Sequence, residues 1–456
     1  MLKPKSRVLV LLNQFNASLG LPFQKVLPAS IIEETLASEG IKYRNRLFSP
    51  LVTLWAFLSQ VIDADKTCHN AVSRVIAWLA GQGEEIPSED NSAYCQARLR
   101  LPENFVKKLF SQSSQNLEKE VQSEQLWCGR CVKAFDGSSV SMPDTPENQK
   151  AYPQPKSQKA GCGFPLAKLG VLFSLQTGAA IAVIIEVFKT HDVKLARQLY
   201  EDLNPGDIFL SDRACCSYAD IYFIKQRNCD AVIRLHQSRE KQMKKKKRIG
   251  TNDRLVTWTK PRTRPKGLSK EEYDSLPKTL TVRQIHYYVC IPGRRTKQVT
   301  LITTLLDEKI YPKLEIINLY EMRWEAELNL RHLKTSLGMD ILRGKTPEMV
   351  RKEIYVHLLA YNLLRTVMWS AGTQMEVNPL RLSLQETRHH LAHFVNELKN
   401  SGVRKGKKIY QTMLEAIAHK PIKKRPLRFE PRVQKRRPKA YPLMTEPRSV
   451  LRQKVA

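Results

Sequence analysis

Long apolar runs are missing from this 456-residue chain. No stretch approaches the roughly 18 uninterrupted apolar residues that a bilayer span requires. The N-terminal MLKPKSRVLVLLNQFNASLG has too short an apolar run for a signal peptide. The expectation is a soluble, intracellular protein with no membrane partner. Cysteine is sparse as well: nine residues, an odd number scattered over a long chain, exclude the dense even pattern of a disulfide-stapled secreted domain. The one C-x-x-C, Cys128 and Cys131, lacks the second ligand pair that a four-coordinate zinc needs. Acidic residues are few, Asp plus Glu numbering 44 against 75 Lys plus Arg. The resulting formal charge of +31 points to a polyanionic partner, with nucleic acid leading. A 42% hydrophobic content excludes a wholly disordered or collagen-like chain, and at about 150 residues per domain the length suggests three structural units.

Residues 28 to about 125 read as helical, because Ile31, Ile32 and Leu36, then Leu51, Leu54, Trp55, Leu58 and Val61, recur at helix spacing. The regime changes at Cys131, where CVKAFDGSSV looks like a buried strand ended by Gly and Ser. AKLGVLFSL and AAIAVIIEVF then pair as a hairpin, HDVKLARQLYEDLN forms a helix stopped by Pro205 and Gly206, and DIFLSD is a short strand. SYADIYFIKQRN opens on a capping-box spacing and runs into the strand AVIRL. That order implies a mixed α/β sheet with helices on its faces. Residues 238 to 278, including MKKKKR, read as an exposed basic insertion, after which TLTVRQIHYYVC and QVTLITTLLD resume strand character. One long helix is expected over 314–337 and a nearly buried one over 353–369. From 401 onward 17 Lys/Arg face 3 Glu, with Pro at 421, 426, 431, 438, 442 and 447, so a tail disordered when free is expected.

In so basic a chain, acidic residues at strand ends are informative. Asp136 closes the first strand beside Gly137, which would admit a close approach, and Asp212 closes DIFLSD. Ligands of open α/β sheets gather outside the carboxyl ends of strands, so the two could share a crevice, although a lone Asp after a strand is more often a turn or cap residue. Helix geometry supplies a third carboxylate. At about 100° per residue, Tyr320, Arg323, Arg331 and Lys334 fall within about 40° of Glu327, a carboxylate flanked by a phenol and three cations. The alternative is a solvated face with i,i+4 pairs such as Arg323 with Glu327. His389, His390 and His393 have no Cys or acidic partners nearby and read as surface histidines.

The spacing Tyr320-x2-Arg323-x3-Glu327-x6-Lys334, within LYEMRWEAELNLRHLK, resembles the Tyr-Arg-Glu-Lys signature of bacterial DDE transposases of the insertion sequence four family. FDGSSV around Asp136 and LSDRACCS around Asp212 resemble that family's two aspartate motifs, in order, and YCQARLRLP at 94–102 is similar to its N-terminal region. The resemblance implies an RNase H-like catalytic core with a mainly β insertion, preceded by a helical domain and followed by a helical, basic region. The expected boundaries are a DNA-binding domain over 1–128, the catalytic domain over 129–372 with its insertion at about 237–306, and a C-terminal region over 373–456. It further implies that Asp136, Asp212 and Glu327 hold two Mg²⁺ ions, with Mn²⁺ able to substitute. Tyr320, Arg323, Arg331 and Lys334 would contact DNA, and Trp258 is the candidate for stacking a flipped base. The implied reaction is nicking at the element end, hairpin formation, hairpin opening and strand transfer. A dimer on double-stranded DNA, in a bacterial cytoplasm at the nucleoid, is expected. A catalytically silent DNA-binding protein or repressor derived from a transposase, and a nuclease without strand transfer, are the competing readings.

Overall fold

The apolar spacing of the first hundred residues becomes a set of amphipathic helices in the computed structural model, which describes residues 23, 27–43, 46–81, 87–289, 297–399, 401–423 and 441–455. In chain order the elements begin α1 (Ala29–Ser38), α2 (Pro50–Ile62), α3 (Cys68–Gly81), α4 (Ser92–Arg100), α5 (Glu103–Glu118), β1 (Val132–Ser141), α6 (Pro146–Ala151), β2 (Leu166–Ser174) and β3 (Ala180–Val187). There follow α7 (Asp192–Leu199), β4 (Ile208–Ser211), α8 (Tyr218–Gln226), β5 (Asp230–Arg234), β6 (Met243–Gly250), β7 (Asp253–Thr259), α9 (Lys270–Ser275), β8 (Thr279–Val289) and β9 (Lys297–Thr303). The chain continues through α10 (Lys313–Glu321), α11 (Trp324–Arg331), α12 (Pro347–Gln374), α13 (Leu384–Lys399), α14 (Val403–Ala418) and α15 (Arg448–Val455). Two compact units result: Met1–Val121 with Thr177–Ala180 and Arg331–Lys423, and Gln122–Gln176 with Ile181–Leu330 and Lys424–Ala456.

The second unit is a mixed α/β structure around one nine-stranded sheet of order β3-β2-β1-β4-β5-β9-β8-β7-β6. Parallel pairing of β1 with β4 and of β4 with β5 forms its middle; β2 joins β1 and β9 joins β5 antiparallel. The hairpin neighbours β2 and β3 stand where the sequence places them. The region read as an exposed basic insertion instead extends this sheet, with β6 paired to β7, β7 to β8 and β8 to β9. MKKKKR is the edge strand β6, where exposed Lys244, Lys247 and Arg248 oppose pairing with a further chain. Its partner β7 buries Val256 and Trp258 in the hydrophobic core with Tyr218, Val282 and Ile302. Arg283 on β8 is wholly buried but matched, its guanidinium held by Asp253 at 2.9 and 2.5 Å and donating to the Tyr311 carbonyl at 2.7 Å.

In the helical unit α12 is buried on nearly every face, as a 28-residue helix must be when it carries Ile354, Val356, Leu358, Leu359, Leu363, Leu364 and Val367 around its circumference. It packs on α2, α5 and α14. Two of its buried charged groups are matched. Glu353 accepts the backbone N–H groups of Arg343 and Gly344, and Lys352 donates to the Leu99 carbonyl at 2.7 Å. The residues after 401 contain α14, whose Met413, Leu414 and Ile417 are buried, so this part of the expected disordered tail is an ordinary amphipathic helix. Further along the same tail Arg448–Val455 is the helix α15, while 424–440 and the N-terminal segment over 1–22 lie outside the described residues. Among the described residues no helix is long and apolar enough to cross a membrane.

Asn362 is the buried polar group with most at stake. Its side chain accepts the Ala180 N–H at 2.9 Å and donates to the Ala180 carbonyl at 2.9 Å and the Ser113 hydroxyl at 3.1 Å. Asn362→Leu keeps the volume and strands these partners, so it should lower stability by about 3 kcal/mol. A urea titration with an unchanged midpoint would contradict this.

Candidate active site

Each carboxylate is placed by an interruption of regular structure. β1 outruns its parallel neighbour: its register with β4 ends at Ala134 opposite Leu210, whereas pairing with β2 continues to Ser141. Asp136 therefore lies in mid-strand, two residues past the last pair of β1 with β4, and not at the strand terminus that the following Gly and Ser suggest, because β2 holds those residues in the ladder. Asp136 Oδ1 accepts the Gly137 N–H at 2.8 Å. What approaches Gly137 is a side chain: a Cβ there would stand 2.6 Å from Asp192 Oδ1. β4 ends at Ser211, and Asp212 turns the chain by accepting the Ala214 N–H at 2.8 Å. Asp212 is thus a cap residue, a task that occupies Oδ1 and leaves Oδ2 unpaired among the described residues.

The long helix expected over 314–337 is interrupted. After α10 the chain tightens through i→i+3 hydrogen bonds, Arg323 to Tyr320, Glu325 to Met322 and Ala326 to Arg323, before α11 resumes. A π-helical turn follows at His332–Ser336. Uniform 100° arithmetic therefore holds only within α11. Arg323 donates to Glu327 at 2.7 Å, so the expected i,i+4 pair is present, and the guanidinium carbon lies 6.0 Å from the Tyr320 ring. Arg323 Nε is buried without a hydrogen-bond partner among the described residues. Arg331 is exposed at the end of α11 and Lys334 is half-buried in the π turn; both belong to the helical unit. Trp258 is fully buried, its indole N–H donating to Gln242 at 3.1 Å and its ring edge-on to Tyr218, so it presents no face for a base to stack on.

Electrostatics tie the remaining groups together. Burial pushes the Asp136 carboxyl up to about 6, and the charges of Glu327 and Asp212 push the same way, against the Gly137 N–H and Arg323. Burial likewise raises the Tyr320 hydroxyl to about 12, with Asp212 adding and Arg323 and Arg234 opposing. Asp136, Asp212, Glu327, Tyr320 and Arg323 thus share one electrostatic neighbourhood. Arg234 was not singled out from sequence. It ends β5, next to the strand that leads into Asp212, acts electrostatically on Tyr320 and Tyr287, and its side chain has no ion pair or hydrogen bond among the described residues. A basic residue closing a strand parallel to the Asp212 strand was the available signal. Among the described residues no three His, Cys, Asp or Glu side chains are spaced as ligands of one ion, and Glu327 is held instead by Arg323.

Residues 127–363 match the family described as the transposase DDE domain, and residues 17–111 match the insertion element 4 transposase N-terminal family. The chain belongs to the insertion element 4 family of DDE transposases. It is 28% identical over 425 residues to transposase InsG for insertion sequence element IS4 of Escherichia coli (strain K12), covering 91% of this chain and 92% of that one. It is also 26% identical over 212 residues to the putative transposase InsZ of the same organism, covering 46% and 68%. A solved piggyBac transposase synaptic complex with hairpin DNA aligns at a TM-score of 0.43 and 10% identity over 87% of this chain and 85% of that one, a likeness too remote to carry an argument. The chain is therefore an insertion sequence transposase, and an enzyme.

The raised Asp136 carboxyl gives this transposase a pH signature. Its folded value of about 6 exceeds the unfolded value near 3.9, so the folded state binds the extra proton and stability falls as pH rises through that window. In EDTA, Asp136→Asn should raise Tm by a few degrees at pH 7 and leave it unchanged near pH 4. Equal melting shifts at both pH values would count against the crowding of charge at this position.

Proposed function

We propose that Asp136, Asp212 and Glu327 carry the cleavage chemistry of the transposase, on a sheet that is an RNase H-like core with β6 to β9 as its insertion. The observation that carries this reading is that Glu327 and Asp212, from separate elements, add to the cost that burial sets on charging Asp136, with Arg323 as counter-cation. The chain belongs to a family that works with divalent metal ions. The donor set suits a hard cation: Asp136 and Asp212 each commit one oxygen to a backbone N–H and, among the described residues, keep the other unpaired. Asp136, Asp212 and Glu327 would hold two Mg²⁺ ions, or Mn²⁺ in their place, Glu327 exchanging Arg323 for metal. Such ions activate the attacking oxygen and stabilise the leaving oxygen at a phosphodiester.

The protein's own groups then have separable tasks. The carboxylates orient the attacking oxygen, water first and the freed 3′-hydroxyl afterwards. Water attack at phosphorus breaks the P–O3′ bond and releases that hydroxyl; its attack on the opposite strand yields a hairpin and a second released end. Arg323, with a buried unpartnered Nε, and Tyr320 fix the phosphate, and Arg331, Lys334 and Arg234 add positive charge along the strand. Domains of DNA binding over 1–128, catalysis over 129–372 and a basic region over 373–456, and a dimer that brings two element ends together, complete the reading.

Glu327→Gln keeps the size and removes the charge, so nicking of a duplex carrying the element's own ends should vanish while affinity stays equal or rises slightly. Arg323→Ala should slow hairpin formation by roughly 10²-fold or more, exceeding its effect on the first nick. Nicking by Glu327→Gln at the wild-type rate, or undiminished nicking in EDTA, would leave the silent DNA-binding reading standing.

A further inference from the structure

The turn that joins α10 to α11 runs through i→i+3 hydrogen bonds, and Arg323 and Glu327 take their places from it. Such bonds have poorer geometry than those of an α-helix, so the position of the segment depends on what holds its ends. At the trailing end Ala326 and Leu330 are buried. At the leading end, next to Tyr320, the Tyr287 hydroxyl donates to Glu321 Oε1 at 2.6 Å. Tyr287 belongs to β8, so this bond ties the signature turn to the extended part of the sheet.

The register of the sheet explains the meeting. Arg234 of β5 pairs with Leu301, and Leu301 with Ile285 of β8, so these three side chains share one face. Tyr287 follows Ile285 by two residues and lies on that face as well. α10 packs against β5. Tyr287 is half-buried, within electrostatic reach of Tyr320 and Arg234 as well as Glu321.

Burial and the Glu321 carboxylate both keep the Tyr287 phenol protonated, so it is a donor at neutral pH. A hydrogen bond to an exposed carboxylate adds little to global stability. This one is distinguished by its place, two residues before Arg323 and at the point where the α-helical bonds give way. We propose that Tyr287 is a positioning residue of the cleavage reaction: by holding Glu321 on the sheet face it fixes the turn that brings Arg323 and Glu327 into the neighbourhood of Asp136 and Asp212. The inference rests on the active-site reading above, and it gives the β6 to β9 extension a task in that site other than contact with DNA.

The test has two arms on the full chain. In EDTA and without DNA, hydrogen exchange of the Arg323, Glu325 and Ala326 amides should quicken about 10-fold in Tyr287→Phe and in Glu321→Ala. With Mg²⁺, single-turnover nicking of a duplex carrying the element's own ends should slow about 10-fold in the same two variants, while affinity by fluorescence anisotropy stays within about twofold. The double variant should lose no more than either alone, because each removes the same bond. Glu321→Gln keeps the accepting oxygen and should nick within about threefold of the wild-type rate. Unchanged exchange and nicking in Tyr287→Phe and Glu321→Ala would overturn the proposal. Multiplying losses in the double variant, a Glu321→Gln rate as low as that of Glu321→Ala, or affinity falling in step with rate would overturn it too. Metal-dependent nicking by the wild type together with unaltered variants removes the positioning role alone, whereas absence of nicking by the wild type removes the active-site reading.

Discussion

Like charge brought together at half-buried positions is the constraint around which the sheet unit is arranged. In a chain of net charge +31, carboxylates could readily have been paired one by one with surplus cations. Asp230 with Arg130, Asp220 with Arg197 and Asp253 with Arg283 are paired in that way. Asp136 and Asp212 are not: among the described residues each accepts a single backbone N–H and keeps an oxygen free, and the charge of Asp212 adds to the cost of ionising Asp136. A Coulombic penalty of this kind is tolerable only if something positive can enter or stand nearby. Arg323 does the second, bonding Glu327 at 2.7 Å while its Nε stays buried and unmatched. A guanidinium that is bonded on one edge and bare on another fits two partners at once, a carboxylate it can release and an anionic oxygen it can accept.

The same sheet shows why some of the fold could be read from residue order and some could not. Strands such as LAKLGVLFS and DAVIR are apolar runs bounded by turn residues, and they stand where that pattern puts them. β6 carries lysines in succession, and charge statistics assign such a run to solvent. Solvent is where Lys244 and Lys247 are, but an edge strand also satisfies that composition, and the hydrogen bonds of β6 to β7 leave no mark on it. Trp258 follows from the same pairing. Once β7 is an interior strand of the extension, its indole is core, and a reading that treated the region as an exposed insertion could only place it at a surface. α14 is the converse case. Tyr410, Met413, Leu414 and Ile417 lie at helical spacing within a basic segment, so the periodic signal was available and the bulk charge obscured it.

The break between α10 and α11 was the least legible feature and the one with most consequence for the site. LYEMRWEAEL contains neither Pro nor Gly, and a helix through it is the natural expectation. Tightening to i→i+3 bonds at Tyr320 to Ala326 costs little and has no compositional signature, since any residue can adopt it. It changes the phase between Tyr320 and Glu327, so that their proximity to Asp136 and Asp212 comes from an irregular turn and not from a shared helical face. Tyr320 is buried there, in the electrostatic reach of Arg323 and Arg234. Arg234 enters the neighbourhood by the same route, from a strand end that no helical wheel would include. A signature read as a linear spacing can therefore be right about which residues matter while the geometry that unites them is supplied by the departures from regularity between them.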